Sequence, residues 1–452
     1  MRRDFGPPRT VVEPTCGVGG LLVAAHREFG PAVQLWGIEI DGAYVERSRA
    51  ALREAGSTEH RIVHEDFFGF DWSAVLAEAG SPVVVVGNPP WVTNAELGSL
   101  EGRNLPPKTN ARGLRGIDAL TGRSNFDISE WMCIRLIEAL AGRDAGFAVL
   151  VKVAVARKVL QHAWSRGLSL REPSLRRIDA RAHFGAAVDA CLFCGRTDAV
   201  GEPRCAVYPT LEDESRSGVI GFEDGELVAD LEARRSTVHL TAADGNGPPW
   251  RSGIKHDCAR VLELRERDGH RVNGIGERVD VEESVLFPLL KSSDVAAGRL
   301  HAGRWLVVTQ HALGDDTERL AEVAPKAWAY LRAHGERLDG RKSSIYRGRP
   351  RFCMFGIGEY AFSPWKVAIS GLYKGLEFRC VGPHASGKPV VFDDTVYVLA
   401  CEDEAQARRL EGALRSEDAR RFFEGLVFWD AKRPITAGVL RRLDLARLCG
   451  AG

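Results

Sequence analysis

The sequence predicts an α/β fold built on a parallel sheet, followed by an α+β domain. Two observations lead to this prediction. Short apolar runs alternate with amphipathic stretches as far as residue 197, the pattern of a parallel sheet with helices on both faces. A polar stretch follows at 198–250, and beyond it short strands lie among helices. We therefore expect a first domain over residues 1–197, a connecting segment over 198–250 and a second domain over 251–452.

The elements follow in order along the chain. In the first domain, strands are predicted at 10–12, 35–41, 61–66, 82–86 and 146–155, and helices at 21–29, 44–55 and 128–141. The valines of 82–86 are typical of a strand that is buried on both faces. In the second domain, strands are predicted at 305–309, 366–369 and 395–400, and helices at 315–334 and 404–414. Parallel sheets bind ligands at the carboxyl ends of their strands, so polar residues there are the first candidates for a site.

Composition narrows the function classes. The chain has 452 residues, 44% of them hydrophobic, which excludes a disordered chain. Its 61 basic and 61 acidic side chains argue against coating nucleic acid by bulk charge, but they do not exclude a local basic cleft. No apolar stretch suits a membrane span or a signal peptide, so a cytoplasmic protein without membrane contact is expected. Cys191 and Cys194 lack a second ligand pair, which favours buried thiols over a metal site.

A candidate cofactor site follows the first three strands. Residues 13–19, EPTCGVG, connect the first strand to the first helix, and glycines there let the backbone approach a ligand closely. Glu39 ends the second strand, where a carboxylate can accept hydrogen bonds from ribose hydroxyls. Asp66 ends the third strand and can accept from an exocyclic amine, with Phe67 beside it. The glycine spacing differs from the G-x-G-x-x-G of dinucleotide-binding enzymes, which favours a nucleoside cofactor without a pyrophosphate.

A candidate catalytic turn follows the fourth strand. Asn88-Pro89-Pro90-Trp91 cannot continue a strand, because two prolines remove two backbone donors and fix two φ angles. The turn presents the Asn88 side-chain oxygen and the Pro89 carbonyl as acceptors, and Trp91 adds a flat face. A planar amine could donate both hydrogens to these oxygens while its ring stacks on Trp91. Such a site works by positioning and pre-aimed acceptors, without a titrating side chain.

Taken in this order, the 13–19 turn, Glu39, Asp66 and the turn at 88–91 resemble the gamma class of N6-adenine DNA methyltransferases. In that class the S-adenosyl-L-methionine region precedes the catalytic motif, and a target-recognition domain follows. The resemblance covers roughly the first two hundred residues, and it implies a Rossmann-like class I methyltransferase sheet. It also implies S-adenosyl-L-methionine as cofactor and double-stranded DNA as substrate, with the target adenine flipped out of the duplex.

The resemblance assigns individual roles. Around the cofactor, the methionine part is held by Glu13, Pro14, Thr15, Cys16, Gly17 and Gly19, the ribose by Glu39, the adenine amine by Asp66, and the adenine ring by Ile40 and Phe67. Around the target base, the catalytic set is Asn88, Pro89, Pro90, Trp91 and, on the opposite face of the base, Phe184. The family usually has a further segment before the glycine turn that closes over the methionine end. Residues 5–8 are at most a remnant of it, so we expect that segment upstream or on another chain, or a weakened cofactor affinity.

Two basic regions are candidates for DNA contact. The first, at 100–125, is rich in glycine, asparagine and proline, and it fits a loop that orders on the DNA backbone as well as it fits a solvated loop. The second, at 341–388, mixes basic and aromatic residues, as nucleic-acid faces do. Its basic residues are Arg341, Lys342, Arg347, Arg349, Arg351, Lys366, Lys374, Arg379 and Lys388. Segments 287–295 and 365–370 resemble pieces of the family's recognition domains.

Several functions remain open at this point. The leading hypothesis is a site-specific methyltransferase of a restriction–modification or phage-defence system, acting on adenine N6 in duplex DNA. The same turn binds any planar amine, so an enzyme that methylates RNA bases or protein glutamine is the alternative. A catalytically silent DNA-recognition subunit is a third possibility, against which the intact turn at 88–91 argues. No nuclease domain is expected, so any cleavage would come from a separate restriction nuclease or defence-system subunit.

Overall fold

The computed structural model describes residues 5–91, 127–185, 188–243 and 248–450. The chain divides into two compact units, Met1–Glu232 and Ala233–Gly452. Within the described ranges, none of the helices combines the length and the apolar character needed to cross a bilayer.

One large sheet forms the centre of the first unit. In its described part, ten strands join this sheet: β1 (Thr10–Glu13), β2 (Gln34–Glu39), β3 (His60–His64), β4 (Val83–Gly87), β5 (Ala145–Lys152), β6 (Arg171–Ile178), β7 (Ala190–Arg196), β8 (Arg204–Tyr208), β9 (Gly218–Glu223) and β10 (Glu226–Val228). Their order is β10-β9-β8-β6-β7-β5-β4-β1-β2-β3. Strands β1 to β5 run parallel, and β7 pairs antiparallel with both β5 and β6.

Helices pack against this sheet in two groups. The helices are α1 (Gly20–Phe29), α2 (Gly42–Glu54), α3 (Trp72–Glu78), α4 (Ile128–Leu140), α5 (Val153–Ser165) and α6 (Ala180–Phe184). Helices α1 and α2 contact each other and β1 to β3, whereas α4 contacts α3 and α5 and packs with α5 on β5. The strand order reverses between β1 and β4, and right-handed crossovers therefore place the two groups on opposite faces. The predicted α/β fold with a parallel sheet is confirmed.

The residue pattern explains the central strands. All five residues of β4, VVVVG, are buried, as are all four of β1, because helices cover both faces of the sheet at this position. Helix α2 begins at its N-cap Asp41, whose carboxylate accepts hydrogen bonds from the Ala43 and Tyr44 amides. In register, Val12 pairs with Val85 and Glu13 with Gly37. The carboxyl ends of β1, β2 and β4 therefore lie side by side, at the point where the strand order reverses.

The polar stretch at 198–250 is more regular than expected for a connecting segment. Residues 204–228 form β8, β9 and β10, which extend the first sheet beyond β6. Their burial is mixed along each strand, since an edge of the sheet is covered less completely than its centre. The strands are short apolar runs within a stretch that is polar as a whole, and for this reason they were not predicted.

The second unit is an α+β structure, as predicted. Its described residues form two sheets, one with the order β11-β19-β16-β17 and one with the order β13-β12-β15-β14-β18. The strands are β11 (Arg251–Ser252), β12 (Glu263–Arg267), β13 (His270–Asn273), β14 (Leu286–Leu290), β15 (Arg304–Val307), β16 (Trp365–Ser370), β17 (Arg379–Val381), β18 (Val391–Phe392) and β19 (Val396–Cys401). Helix α7 (Leu231–Ser236) spans the sequence boundary between the units.

One helix predicted in the second unit is divided into shorter helices in the structure. They are α8 (Ala259–Leu262), α9 (Ser292–Ala296), α10 (Leu320–Val323), α11 (Pro325–Ala333), α12 (Gly335–Asp339), α13 (Glu359–Phe362), α14 (Glu404–Leu414), α15 (Glu417–Glu424), α16 (Ala437–Leu440) and α17 (Leu445–Leu448). The single helix predicted over 315–334 is wrong. Pro325 lacks the amide that would continue α10, and it starts α11 at its first position instead.

Candidate active site

The glycine turn after β1 is shaped by two left-handed residues. Gly17 has φ +52° and Gly19 has φ +84°, a region that side chains with a Cβ avoid. A Cβ on Gly19 would lie 2.5 Å from the Ser48 hydroxyl of α2. The Gly19 amide donates to the Cys16 carbonyl over 2.7 Å, which closes the turn. The turn therefore needs glycine at position 19 both for its backbone angle and for the close approach of α2.

Glu39 holds this turn against the end of β2. One carboxylate oxygen accepts a hydrogen bond from the Gly17 amide at 2.8 Å, and the other accepts from the Ile40 and Asp41 amides at 2.9 Å each. A carboxylate offers about four acceptor positions, so a half-buried Glu39 keeps capacity for a further donor. The sequence pointed to Glu39 as a ribose ligand but did not reveal that it also shapes the glycine turn.

Glu13 is a buried acid at the end of β1. Only 4% of the residue is exposed, and its Oε2 has no hydrogen-bond partner among the described residues. Burial raises the pKa of this carboxyl to about 8, since the ionised form loses its hydration. A hydrogen bond from the Leu22 backbone lowers the pKa in part, and the negative charge of Glu39 raises it further. Glu13 thus offers an unused acceptor to a cationic group that enters the turn.

The residues predicted to hold an adenine differ in exposure. Ile40 is 46% exposed, and its carbonyl lies 2.9 Å from Nε2 of His64, which fixes the chain after β2. Asp66 is half-buried two residues beyond the end of β3, and its Oδ1 accepts from the Phe68 amide at 3.1 Å. Phe67 is 5% exposed and packs with ring centroids 5.1 Å from Phe68 and 5.0 Å from Trp72. Phe67 therefore presents less surface to a ligand than Ile40 does.

The turn after β4 is in contact with β5 at both of its ends. Gly87, the last residue of β4, pairs with Val149 of β5. Asn88 and Pro90 are exposed, Pro89 is buried and Trp91 is half-buried. The Trp91 indole N–H donates to the Leu150 carbonyl at 3.2 Å, so one edge of this ring is fixed on β5. Asn88 is exposed, so its side-chain amide is accessible, as the binding of a ligand requires.

The two turns meet at the same edge of the sheet. A Cβ on Gly87 would lie 3.6 Å from Pro14 Cδ in the glycine turn. A small cavity of about 10 Å³ lies where they meet, and its lining comprises Pro14, Thr15, Phe67, Gly87, Pro89, Met132, Cys133, Leu136 and Val149. The structure thus brings together predicted cofactor residues and predicted catalytic residues that are distant in sequence.

Two polar residues of this region were missed by the sequence analysis. Lys152, the last residue of β5, lies 2.7 Å from the Asp127 carboxylate and 3.1 Å from the Trp91 carbonyl. Asp127 is the N-cap of α4 and accepts hydrogen bonds from the Ser129 amide and hydroxyl. A capping signal for Asp127 was present in the sequence, but only the fold shows that Lys152 reaches both Asp127 and Trp91.

Some predicted features fall elsewhere. The basic loop at 100–125 lies outside the described residues. Phe184 ends α6, and Gly185 after it has φ +67°, but the Phe184 side chain is not among the described parts. Phe5 lies over Gly146, three residues before the Val149 that pairs with Gly87, and so about 10 Å from the carboxyl edge. Phe5 therefore packs on the amino-terminal half of β5 rather than over the glycine turn.

In the second basic region, residues 341–388, some of the basic side chains are buried or ion-paired within the second unit. Lys366 is only 1% exposed, and its ammonium donates to the Ser363 and Val390 carbonyls. Arg351 is paired with Asp339 at 2.7 Å. Lys342, Arg347 and Arg349 are exposed. The expectation that Lys366 belongs to a nucleic-acid face is wrong, because Lys366 is buried together with the residues that follow it in β16.

Comparison with known proteins identifies the family. No family model matches the chain. The chain is 44% identical over 440 residues to the type II methyltransferase M.NspV of Nostoc sp. (strain ATCC 29411 / PCC 7524), covering 97% of this chain and 91% of that protein. Two solved structures are more distantly similar: the type I restriction–modification methyltransferase subunit of Streptococcus thermophilus (12% identity, TM-score 0.31, 44% of this chain and 41% of that chain) and the type IIG restriction endonuclease BpuSI (15% identity, TM-score 0.36, 96% and 55%).

The Nostoc relative covers both units, including the two turns that meet at the edge of the first sheet. Type II methyltransferases take their methyl group from S-adenosyl-L-methionine, which is therefore the cofactor of this chain. On this similarity, the chain belongs to the type II methyltransferases, the methylating enzymes of restriction–modification systems.

Proposed function

We propose that this type II methyltransferase transfers the methyl group of S-adenosyl-L-methionine to the N6 amino group of an adenine flipped out of duplex DNA. The observation that carries this proposal is the exposed Asn88 directly after β4, where Pro14 and Thr15 of the glycine turn line one small cavity together with Gly87 and Pro89. Flipping costs a few kcal/mol, and stacking of the base on an aromatic ring returns about 1–3 kcal/mol.

The site suits the cofactor on chemical grounds. Gly17 and Gly19 leave the backbone of the turn open, and Glu13 presents a carboxyl oxygen without a protein partner among the described residues. The cofactor is cationic at its sulfonium and ammonium groups, which an acidic acceptor stabilises. When bound, it supplies the electrophilic methyl group. We propose that the remaining cofactor residues act as the resemblance implies, with Glu39 on the ribose and Asp66 on the adenine amine.

The target amine would be held by Asn88 and Pro89. Two acceptors at fixed positions take the two N–H hydrogens, which turns the nitrogen lone pair out of the ring and towards the methyl donor. Catalysis would then consist of positioning: the N–C bond would form as the methyl–sulfur bond breaks, and the methylated amine would lose one proton to solvent, so that neither acceptor has to take it up. Trp91 has its indole N–H fixed on β5, so its ring offers a preset face for stacking.

Methylation at a ring carbon of cytosine is disfavoured by the thiols of the site. That chemistry needs a cysteine thiolate as nucleophile. Cys16 in the glycine turn and Cys133 beside the cavity are buried, and burial raises the pKa of each to about 12. Both stay protonated at neutral pH and are poor nucleophiles. An exocyclic amine is therefore the better target.

The experiment is methyl transfer from labelled cofactor to unmethylated duplex DNA, RNA and protein, followed by nucleoside analysis. We expect label only on DNA, recovered as N6-methyladenine. Asn88→Ala should abolish turnover and leave cofactor affinity nearly unchanged, because the side chain contacts the target and not the cofactor. Label on cytosine, RNA or protein would contradict the proposal, and an active Asn88→Ala variant would contradict the role of the turn.

We further propose that the second unit recognises the DNA sequence. Its exposed basic residues Lys342, Arg347 and Arg349 are suited to phosphate contacts that position the enzyme. Charge reversal at these three positions should weaken DNA binding at all sequences alike and flatten its salt dependence. Unchanged DNA affinity would place the contact surface elsewhere.

A further inference from the structure

The turn at 88–91 has few backbone N–H groups that could fix its position by hydrogen bonds. Pro89 and Pro90 have no backbone N–H, so this part of the chain cannot be fixed by its own amide donors. The strand before it is fixed, because Gly87 is paired with Val149. On the carboxyl-terminal side of the turn, groups from elsewhere in the chain hold it. In the described residues, Trp91 makes such contacts with the Leu150 carbonyl and with Lys152.

Lys152 supplies one of these contacts and links it to a second element. Its ammonium donates to the Trp91 main-chain carbonyl at 3.1 Å and to Asp127 Oδ2 at 2.7 Å. Residues 91 and 127, which are far apart in sequence, are therefore tied to one cation at the end of β5. Asp127 is itself fixed, since its other oxygen accepts from the Ser129 amide at 3.1 Å at the start of α4.

The ion pair is partly shielded from water. The side chains of Lys152 and Asp127 are 25% and 9% exposed. Attraction between such groups is screened less than at an open surface, and removal of one partner leaves the other charge without compensation. The contact therefore holds a defined geometry rather than forming and breaking freely.

We propose that Lys152 is a positioning residue for methyl transfer: by fixing the Trp91 carbonyl against Asp127 and β5, it sets where the Asn88 and Pro89 oxygens stand. The proposal rests on the proposed function of the 88–91 turn. Lys152 does not touch the target or the cofactor in this account. It acts through the backbone at the carboxyl-terminal side of the turn, while β4 fixes the other side.

Lys152→Met tests the proposal, since methionine keeps the length and apolar stem of the side chain and loses its donors. A misplacement of reacting groups by about 1 Å can cost a hundredfold in rate, so we expect kcat on duplex DNA to fall about 10- to 100-fold. Cofactor affinity, measured by calorimetry, should stay unchanged, because the glycine turn is held by Glu39 and not by Lys152. Lys152→Arg, which retains charge and donors, should recover part of the rate.

Asp127→Asn tests the same linkage from its other partner, and kcat should fall in this variant alone, whether or not Lys152→Met folds. The amide retains an acceptor for the Ser129 cap and loses the charge that holds Lys152. In a double-mutant cycle, the combined variant should lose no more than about threefold beyond Lys152→Met alone, since both changes break one linkage. Additive losses would contradict the proposal.

Lys158→Met is the matched control. Lys158 forms an ion pair at 2.8 Å with buried Glu130, which also joins α5 to α4 but does not involve the proline turn. This variant should keep its kcat even if its thermal midpoint falls. An equal loss of kcat in Lys158→Met, or a wild-type rate in Lys152→Met, would overturn the positioning role. If the wild-type protein itself transferred no methyl group to adenine, the proposed function would fail instead.

Discussion

Glu13→Gln should uncouple cofactor binding from proton release. In the free protein, burial raises the pKa of Glu13 to about 8, so most molecules carry a proton there at neutral pH. A cationic cofactor beside the carboxyl favours its ionised form and lowers the pKa, so that binding expels the proton. The glutamine variant resembles the protonated acid but has no proton to release.

The size of the effect follows from the pKa. With a pKa of about 8 in the free protein, about 0.8 of the Glu13 carboxyls are protonated at pH 7.5, and binding releases up to that number of protons. Below pH 8, the affinity for the cofactor should rise with pH, because fewer Glu13 carboxyls have to lose a proton on binding. Above pH 8, the affinity should become independent of pH. Between pH 6.5 and 7.5 the gain is about eightfold. In Glu13→Gln the affinity should be lower and should no longer follow this titration.

The assay is calorimetric titration with S-adenosyl-L-methionine in two buffers of different ionisation enthalpy at one pH. The difference in observed heat gives the number of protons released. Glu54→Gln, at an exposed position near the end of α2, is the control and should behave like the wild type. Equal heats in both buffers for the wild-type protein, together with a pH-independent affinity, would refute the reasoning.

Three further predictions concern single residues. Gly19→Ala should destabilise the first unit by about 1–3 kcal/mol in urea unfolding, through its positive φ and the 2.5 Å approach of Ser48, and Ser48→Ala should restore only the steric part. Asp66→Ala should raise the cofactor Kd about 10- to 100-fold with little change in kcat at saturation, and equal Kd values would remove Asp66 from the site. Burial lowers the pKa of Lys366 to about 7, below its unfolded value, so stability should rise by about 1.4 kcal/mol between pH 6 and 8. Lys366→Met should lose this slope in thermal unfolding, and an unchanged slope would count against the assignment.

Local patterns in the sequence were enough to predict the centre of the first sheet. The valine run of β4 and the proline turn after it are local signals, and the structure places both within a residue or two of the predicted positions. The helix predicted at 404–414 has the same bounds as α14. In each case the chemistry of a few adjacent residues decides the outcome, through burial on both faces, missing amides or an acidic cap such as Asp403.

Features that depend on distant residues escaped prediction. Lys366 is basic in sequence, but its position in β16 beside β19 buries it, and its ammonium donates to the Val390 carbonyl. Glu39 was expected to face a ligand, and only the fold shows that Gly17 shares its carboxylate. Strands β8 to β10 are short runs inside a stretch that is polar as a whole, and pairing of β8 with β6 adds them to the first sheet. The roles of the site residues themselves stay predictions.

The strand order has a consequence for synthesis on the ribosome. The glycine turn depends on β1, β2 and Glu39, which are all made within the first forty residues, whereas the anchors of the proline turn, Leu150 and Lys152, emerge much later. A nascent chain that ends before β5 would contain the residues of the glycine turn but would lack Leu150 and Lys152, which hold Trp91. The order of synthesis therefore makes the residues that shape the glycine turn available before those that anchor the turn at 88–91.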